Sequence, residues 1–75
     1  MTLDKLEIGG QATILKVQGQ GALRRRLLDM GLTPKTKIMV RKVAPFGDPI
    51  QLCLRGYELT IRQADAANIE VVKQA

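Results

Sequence analysis

Residues Ile50 to Arg62 constrain this chain more than any other stretch. Ile50, Leu52 and Leu54 alternate with Gln51, Cys53 and Arg55, and Tyr57, Leu59 and Ile61 alternate with Glu58, Thr60 and Arg62. A period of two is the signature of a strand with one apolar face. Arg55-Gly56 lies between the two runs, and X-Gly is the expected chemistry for a two-residue hairpin turn. Folding at that turn pairs Leu54 with Tyr57, Leu52 with Leu59, and Ile50 with Ile61. Every apolar residue then shares one face, the inferred core face. A slip of one residue would expose the whole apolar set, so the register is over-determined.

The remaining segments supply the rest of a sheet. Leu3 to Gly10 is a short lead-in with apolar Leu3, Leu6 and Ile8, ending in the turn signal Gly9-Gly10. Ala12 to Gln18 reads as a strand whose imperfect alternation does not say which face is buried. Lys37 to Ala44 reads as a second strand, with a change of phase between Val40 and Val43 that predicts a bulge or bend. Pro45 to Pro49 is a turn by composition. Gln63 to Ala67 reads as one helical turn, and Asn68 to Val72 as a last strand with Ile69 and Val71 on one face. Lys73-Gln74-Ala75 is expected to fray.

Between the first two strands lies Gly21 to Pro34. Leu23, Leu27 and Met30 recur at i, i+4 and i+7, on one helical face. Gly21 is a tolerable N-cap, though no side chain is present there to bond the free N–H groups. Gly31 is placed to end the helix at C′, with Leu32 folding back on Leu27 in a Schellman motif, and Pro34 prevents resumption. A helix of about three turns is marginal alone and needs packing. Seventy-five residues make one domain, residues 1–75, and the sheet must curl on itself to bury both the strand faces and the helix. The predicted architecture is mainly β, a small SH3-like barrel of about five strands with one short α-helix.

Composition excludes more functions than it suggests. Histidine is absent and Cys53 is the one cysteine, so neither a Cys/His metal set nor an internal disulfide can form. The carboxylates Asp4, Glu7, Asp29, Asp48, Glu58, Asp65 and Glu70 stand singly, without spacing that suggests acid–base catalysis or a hard-metal cage. No Walker-type phosphate loop is present. The sequence therefore points away from an enzyme, and no cofactor is expected. No apolar run approaches the ~18 residues needed to cross a bilayer, and the first residues lack a signal-peptide pattern. A cytosolic protein without direct membrane insertion is the expectation.

The net charge of +5 admits nucleic acid, anionic lipid or an acidic protein partner. Nucleic-acid barrels usually add stacking aromatics to a charged groove, and this chain has only Phe46 and Tyr57, the latter assigned to the core face. That leaves the arginine run. Arg24 and Arg26 flank the helix's apolar stripe, while Arg25 points away and can pair with Asp29. The run is either a solvated face whose arginine stems cover core leucines, or a docking surface for an acidic partner. Phe46 has a similar ambiguity: it either tucks over the barrel end or stands exposed as an interface anchor. The candidate protein-binding residues are Arg24, Arg25, Arg26, Lys35 and Phe46. Self-association through an open barrel edge near Cys53 is a further reading.

Several segments, in this order and spacing, resemble the FeoA family over nearly the full chain. They are Leu6…Gly9, Leu23 to Pro34, Pro45 to Ile50, Gly56 to Arg62, and Ala66…Ile69. One departure is Lys35, where the family usually has glycine after the proline of its Gly-Leu-x-Pro turn; it adds a positive charge beside the helix end. The resemblance implies an SH3-like barrel and a cytosolic role in bacterial ferrous iron uptake. Its implied partner is FeoB, a membrane transporter with a cytosolic GTPase domain, which would recruit it to the inner face of the membrane. The family carries an association with transition metals, but this chain offers no ligand set, so it is expected to act by contact rather than by carrying iron. The alternative is a small basic nucleic-acid-binding barrel, or a regulatory module similar to the C-terminal domain of iron-dependent repressors.

Overall fold

A computed structural model describes residues 1–74. A 3-10 turn at Leu3–Lys5 precedes β1 (Gln11–Val17), α1 (Gly21–Asp29), β2 (Lys37–Val43), β3 (Ile50–Leu54), β4 (Tyr57–Ile61), α2 (Gln63–Ala66) and β5 (Ile69–Lys73). The strands form one antiparallel sheet in the order β4-β3-β2-β1-β5. The molecule is mainly β, an SH3-like barrel with one helix of appreciable length, as the sequence predicts.

The β3–β4 hairpin has the predicted register, with Leu54 opposite Tyr57, Leu52 opposite Leu59 and Ile50 opposite Ile61. Arg55 at φ 49° and Gly56 at φ 82° both take the left-handed conformation, giving the primed turn whose twist matches that of paired strands. The predicted phase change in β2 is a register shift between Val40 and Lys42 against β3. A second shift, between Ile14 and Lys16 in the β1–β5 ladder, explains the imperfect alternation of β1. Leu15 points outward by alternation from Ile14, and the extra residue turns Lys16 outward as well, so that Ala12, Ile14 and Val17 face the core.

The core is built from the one sheet face that curls inward, from Leu27 and Leu32 at the end of α1, and from Leu3 and Leu6 of the lead-in. Three expectations need correction. Tyr57 is not a core residue: it is 42% exposed, and its hydroxyl donates to the Met30 carbonyl oxygen at 2.7 Å. A polar tip that must reach a helix-end carbonyl holds the ring at the barrel's rim. Lys73 and Gln74 do not fray. Lys73 ends β5 opposite Ala12 and pairs through Nζ with Glu7 at 3.0 Å, and the Gln74 N–H donates to the Gln11 carbonyl oxygen. Ala75 lies outside the described residues. Finally, the N-cap of α1 is Gln20 rather than Gly21, with no side-chain capping bond.

Candidate protein-docking surface

The helix that carries the arginine run ends as its sequence dictates. The Leu32 N–H donates to the Leu27 carbonyl oxygen at 3.2 Å and the Gly31 N–H to that of Leu28 at 3.0 Å, the paired bonds of a Schellman ending. Gly31 sits at φ 99°, and a Cβ there would overlap the Tyr57 hydroxyl oxygen, so glycine is required twice over. Beyond Pro34, Lys35 adopts φ 73°, the conformation a glycine takes without cost. Its N–H donates to the Ile14 carbonyl oxygen at 2.7 Å, which ties the exposed lysine to β1.

The three arginines do not form one free face. The Arg24 Nε–H donates to the Val17 carbonyl oxygen at 3.0 Å, capping the end of β1. The Arg26 guanidinium pairs with the Asp65 carboxylate of α2 at 3.2 Å. Arg25 is exposed and has no ion pair among the described residues, and the expected Arg25–Asp29 pair is not formed. Two exposed charges in the order less favourable to the helix dipole gain too little to hold two long side chains together.

Phe46 stands 97% exposed at the tip of the loop between β2 and β3, the outward one of its two readings. The loop beneath it is well tied. The Ala44 N–H donates to the Pro49 carbonyl oxygen and the Gly47 N–H to that of Ala44. Asp48 Oδ1 accepts from the Gln63 N–H at 2.9 Å, which satisfies a free amide at the start of α2. Through Asp48 on one side and Asp65 on the other, α2 links the Phe46 loop to Arg26. The candidate residues thus separate into two groups: Arg24 and Lys35 lie along β1, and Arg26 and Phe46 flank α2, with Arg25 on the helix.

Sequence reasoning missed Arg55. From the hairpin turn its Nη2 donates to the hydroxyls of Thr33 at 3.1 Å and Thr36 at 2.9 Å, which also contact one another. Thr36 is the one buried polar residue among those described, and this clamp satisfies it. Nothing near Arg55 in the chain signals partners about twenty positions away. Cys53 is half-buried and unpaired, and among the described residues no three metal-ligating side chains converge. No helix among them is long and apolar enough to cross a membrane.

The architecture defines a small antiparallel SH3-like barrel whose exposed groups are largely basic. The FeoA domain profile matches residues 1–73, so the chain belongs to the FeoA domain family. The chain is 41% identical over 71 residues to a Fe(2+) transport protein A/Fe(2+) transporter FeoB fusion protein of Porphyromonas gingivalis (strain ATCC BAA-308 / W83). That match covers 95% of this chain and 8% of the relative, so the chain spans a small fraction of that protein's length. A solved FeoA-like protein from Clostridium acetobutylicum is 35% identical with a TM-score of 0.93, covering all of this chain and 87% of that one. Stenotrophomonas maltophilia FeoA, described as a prokaryotic SH3 domain protein, shares the fold at 24% identity. Its TM-score is 0.84, with 96% of this chain and 89% of that one covered.

Proposed function

We propose that this chain is a non-enzymatic cytoplasmic accessory of ferrous iron uptake that docks on the cytosolic part of a FeoB-type transporter and regulates it. One observation carries the proposal: in the Porphyromonas relative a homologous domain is covalently joined to FeoB. Fusion holds two modules at a high effective concentration and favours contact between them. The same contact is assigned to this chain, and the transporter holds the barrel at the inner face of the membrane.

The docking surface is assigned to Arg24, Arg25, Arg26, Lys35 and Phe46. Arg25 and Lys35 are exposed cations available to a partner's carboxylates. Phe46 is an aromatic side chain on a tied loop, so ordering it on binding costs little. The test is a binding titration with the purified cytosolic region of a FeoB-type transporter. Wild type binds, and reversing Arg24, Arg25 and Arg26 to Glu or truncating Phe46 to Ala weakens binding by about tenfold or more. Unchanged binding by both variants removes this surface, and absence of wild-type binding removes the partnership. Following GTP hydrolysis in the same mixture asks whether an arginine also acts as a finger in trans, a role worth ~10³-fold or more in rate.

A further inference from the structure

The two edges of the sheet are finished differently. At β5 the Val71 N–H donates to the Met1 carbonyl oxygen at 2.8 Å, the N-terminal amine donates to the Val71 carbonyl oxygen, and Thr2 bridges Glu70. At β4 the hairpin turn makes Leu54 and Tyr57 a hydrogen-bonded pair, so Tyr57, Leu59 and Ile61 bond to β3. The N–H and C=O groups of Glu58 and Thr60 therefore face outward. Among the described residues these groups have no partner beyond the sheet. Strand β4 is short and carries Glu58, but it lacks the other usual guards of an edge. It has neither proline nor lysine, and its ladder runs without the register shifts found in the β1–β5 and β2–β3 ladders.

Two clefts meet at Thr60, one on each face of this strand. On the outer face, where Thr60 is opposite Gln51 and Gln51 is opposite Lys42, a cleft of about 350 Å³ is lined by Lys42, Val43, Pro45 and Pro49. On the inner side, beside Ile61, a cleft of about 290 Å³ is lined by Arg26, Met30, Arg62 and Asp65. Side chains of an added strand alternate between faces with a period of two, so every second one would reach the inner cleft, whereas Lys42 and Val43 of the outer cleft lie two strands away on β2.

We propose that the open edge of β4 receives an extended segment of a partner protein, acidic at alternate positions, as a sixth strand. The acidic side chains enter the cleft of Arg26 and Arg62, where Asp65 is already paired with Arg26 and a positive charge is left over. Glu58, the one carboxylate on the strand itself, is held by Arg41 at 2.8 Å and Gln51 at 2.7 Å and does not oppose the ligand. A second copy is the poorer occupant, because a chain of net charge +5 would bring its own cations against the same clefts. The site is defined by the strand edge, so it stands or falls separately from the transporter assignment.

The probe is the capped peptide Ac-Glu-Val-Glu-Val-Asp-Val-Glu-NH2, titrated into the isotope-labelled chain and followed by NMR. The expected result is saturable binding with slowed amide exchange at Glu58 and Thr60, and no binding by the same peptide with lysine at every acidic position. N-methylating the amides of one alternate set of peptide residues should weaken binding by about tenfold or more, and methylating the other set should not, because only one set faces β4. Thr60→Pro removes an N–H that faces solvent rather than β3 and should weaken binding to the same degree. If both methylated peptides bind alike, or Thr60→Pro binds as wild type, the contact is not strand addition and the proposal is wrong. Sedimentation showing a dimer through this edge without peptide also overturns it, in favour of a second copy.

Discussion

The β5 edge is closed by the chain's own first residues, while the β4 edge is left open. The difference lies in what anchors the flanking segment. Met1 and Thr2 can pair with β5 because Leu3 and Leu6, immediately following, are buried in the core. Ordering an edge segment costs backbone entropy that a few edge hydrogen bonds do not offset alone, and burying two leucines does. Among the described residues no comparable apolar segment runs beside β4. Its neighbours are held at single points, by the Tyr57 hydroxyl on Met30 and by the Arg26–Asp65 pair next to it. Point contacts hold elements apart and leave clefts between them. An edge is sealed where the sequence supplies an apolar anchor next to it, and left available where it supplies only polar ties.

The strongest way to break this comparison is Leu3→Ala. Leu3 is fully buried, so its truncation should cost about 2–5 kcal/mol by denaturant unfolding. The Val71 amide should also exchange faster as the N-terminal segment loosens. If Val71 protection is unchanged relative to global stability, the anchor account of the β5 edge fails.

Next comes Gly31→Ala, which tests the ties beside β4. The added Cβ meets the Tyr57 hydroxyl and is strained at φ 99°, so a loss of about 1–3 kcal/mol is expected. Adding Tyr57→Phe removes the clashing oxygen and should recover part of the loss, leaving the backbone strain. A double variant no better than Gly31→Ala alone would show that the tyrosine does not hold this corner.

The smallest effect is a gain. Lys35→Gly relieves a left-handed lysine bonded to β1, on the sealed side, and should stabilise the fold by about 0.5–1 kcal/mol in thermal unfolding. Amide exchange at Glu58 and Thr60 should not change beyond that global shift. A loss of stability instead would mean that the lysine side chain supports the turn.

Much of this architecture was legible from local pattern. The β3–β4 register followed from strict alternation, the end of α1 from Gly31, Leu32 and Pro34, and the shift in β2 from a change of phase. The candidate site was less legible. The arginine run was visible as charge, but Arg24 turns back to Val17 and Arg26 crosses to Asp65, 39 positions away. Leu15 and Tyr57 look apolar in sequence and are exposed, Leu15 because its strand's other face takes Ile14 and, across the bulge, Val17 to the core, and Tyr57 because its hydroxyl reaches a helix-end carbonyl. By itself, then, the sequence determined the elements, the hairpin register, the helix stop and the absence of histidine and disulfide chemistry. Each of these depends on neighbours within a few residues or on composition. Only the tertiary structure decided which arginine is free, which hydroxyls Arg55 clamps and which sheet edge stays open. Those outcomes depend on partners distant in the chain, which only the assembled barrel brings within bonding distance.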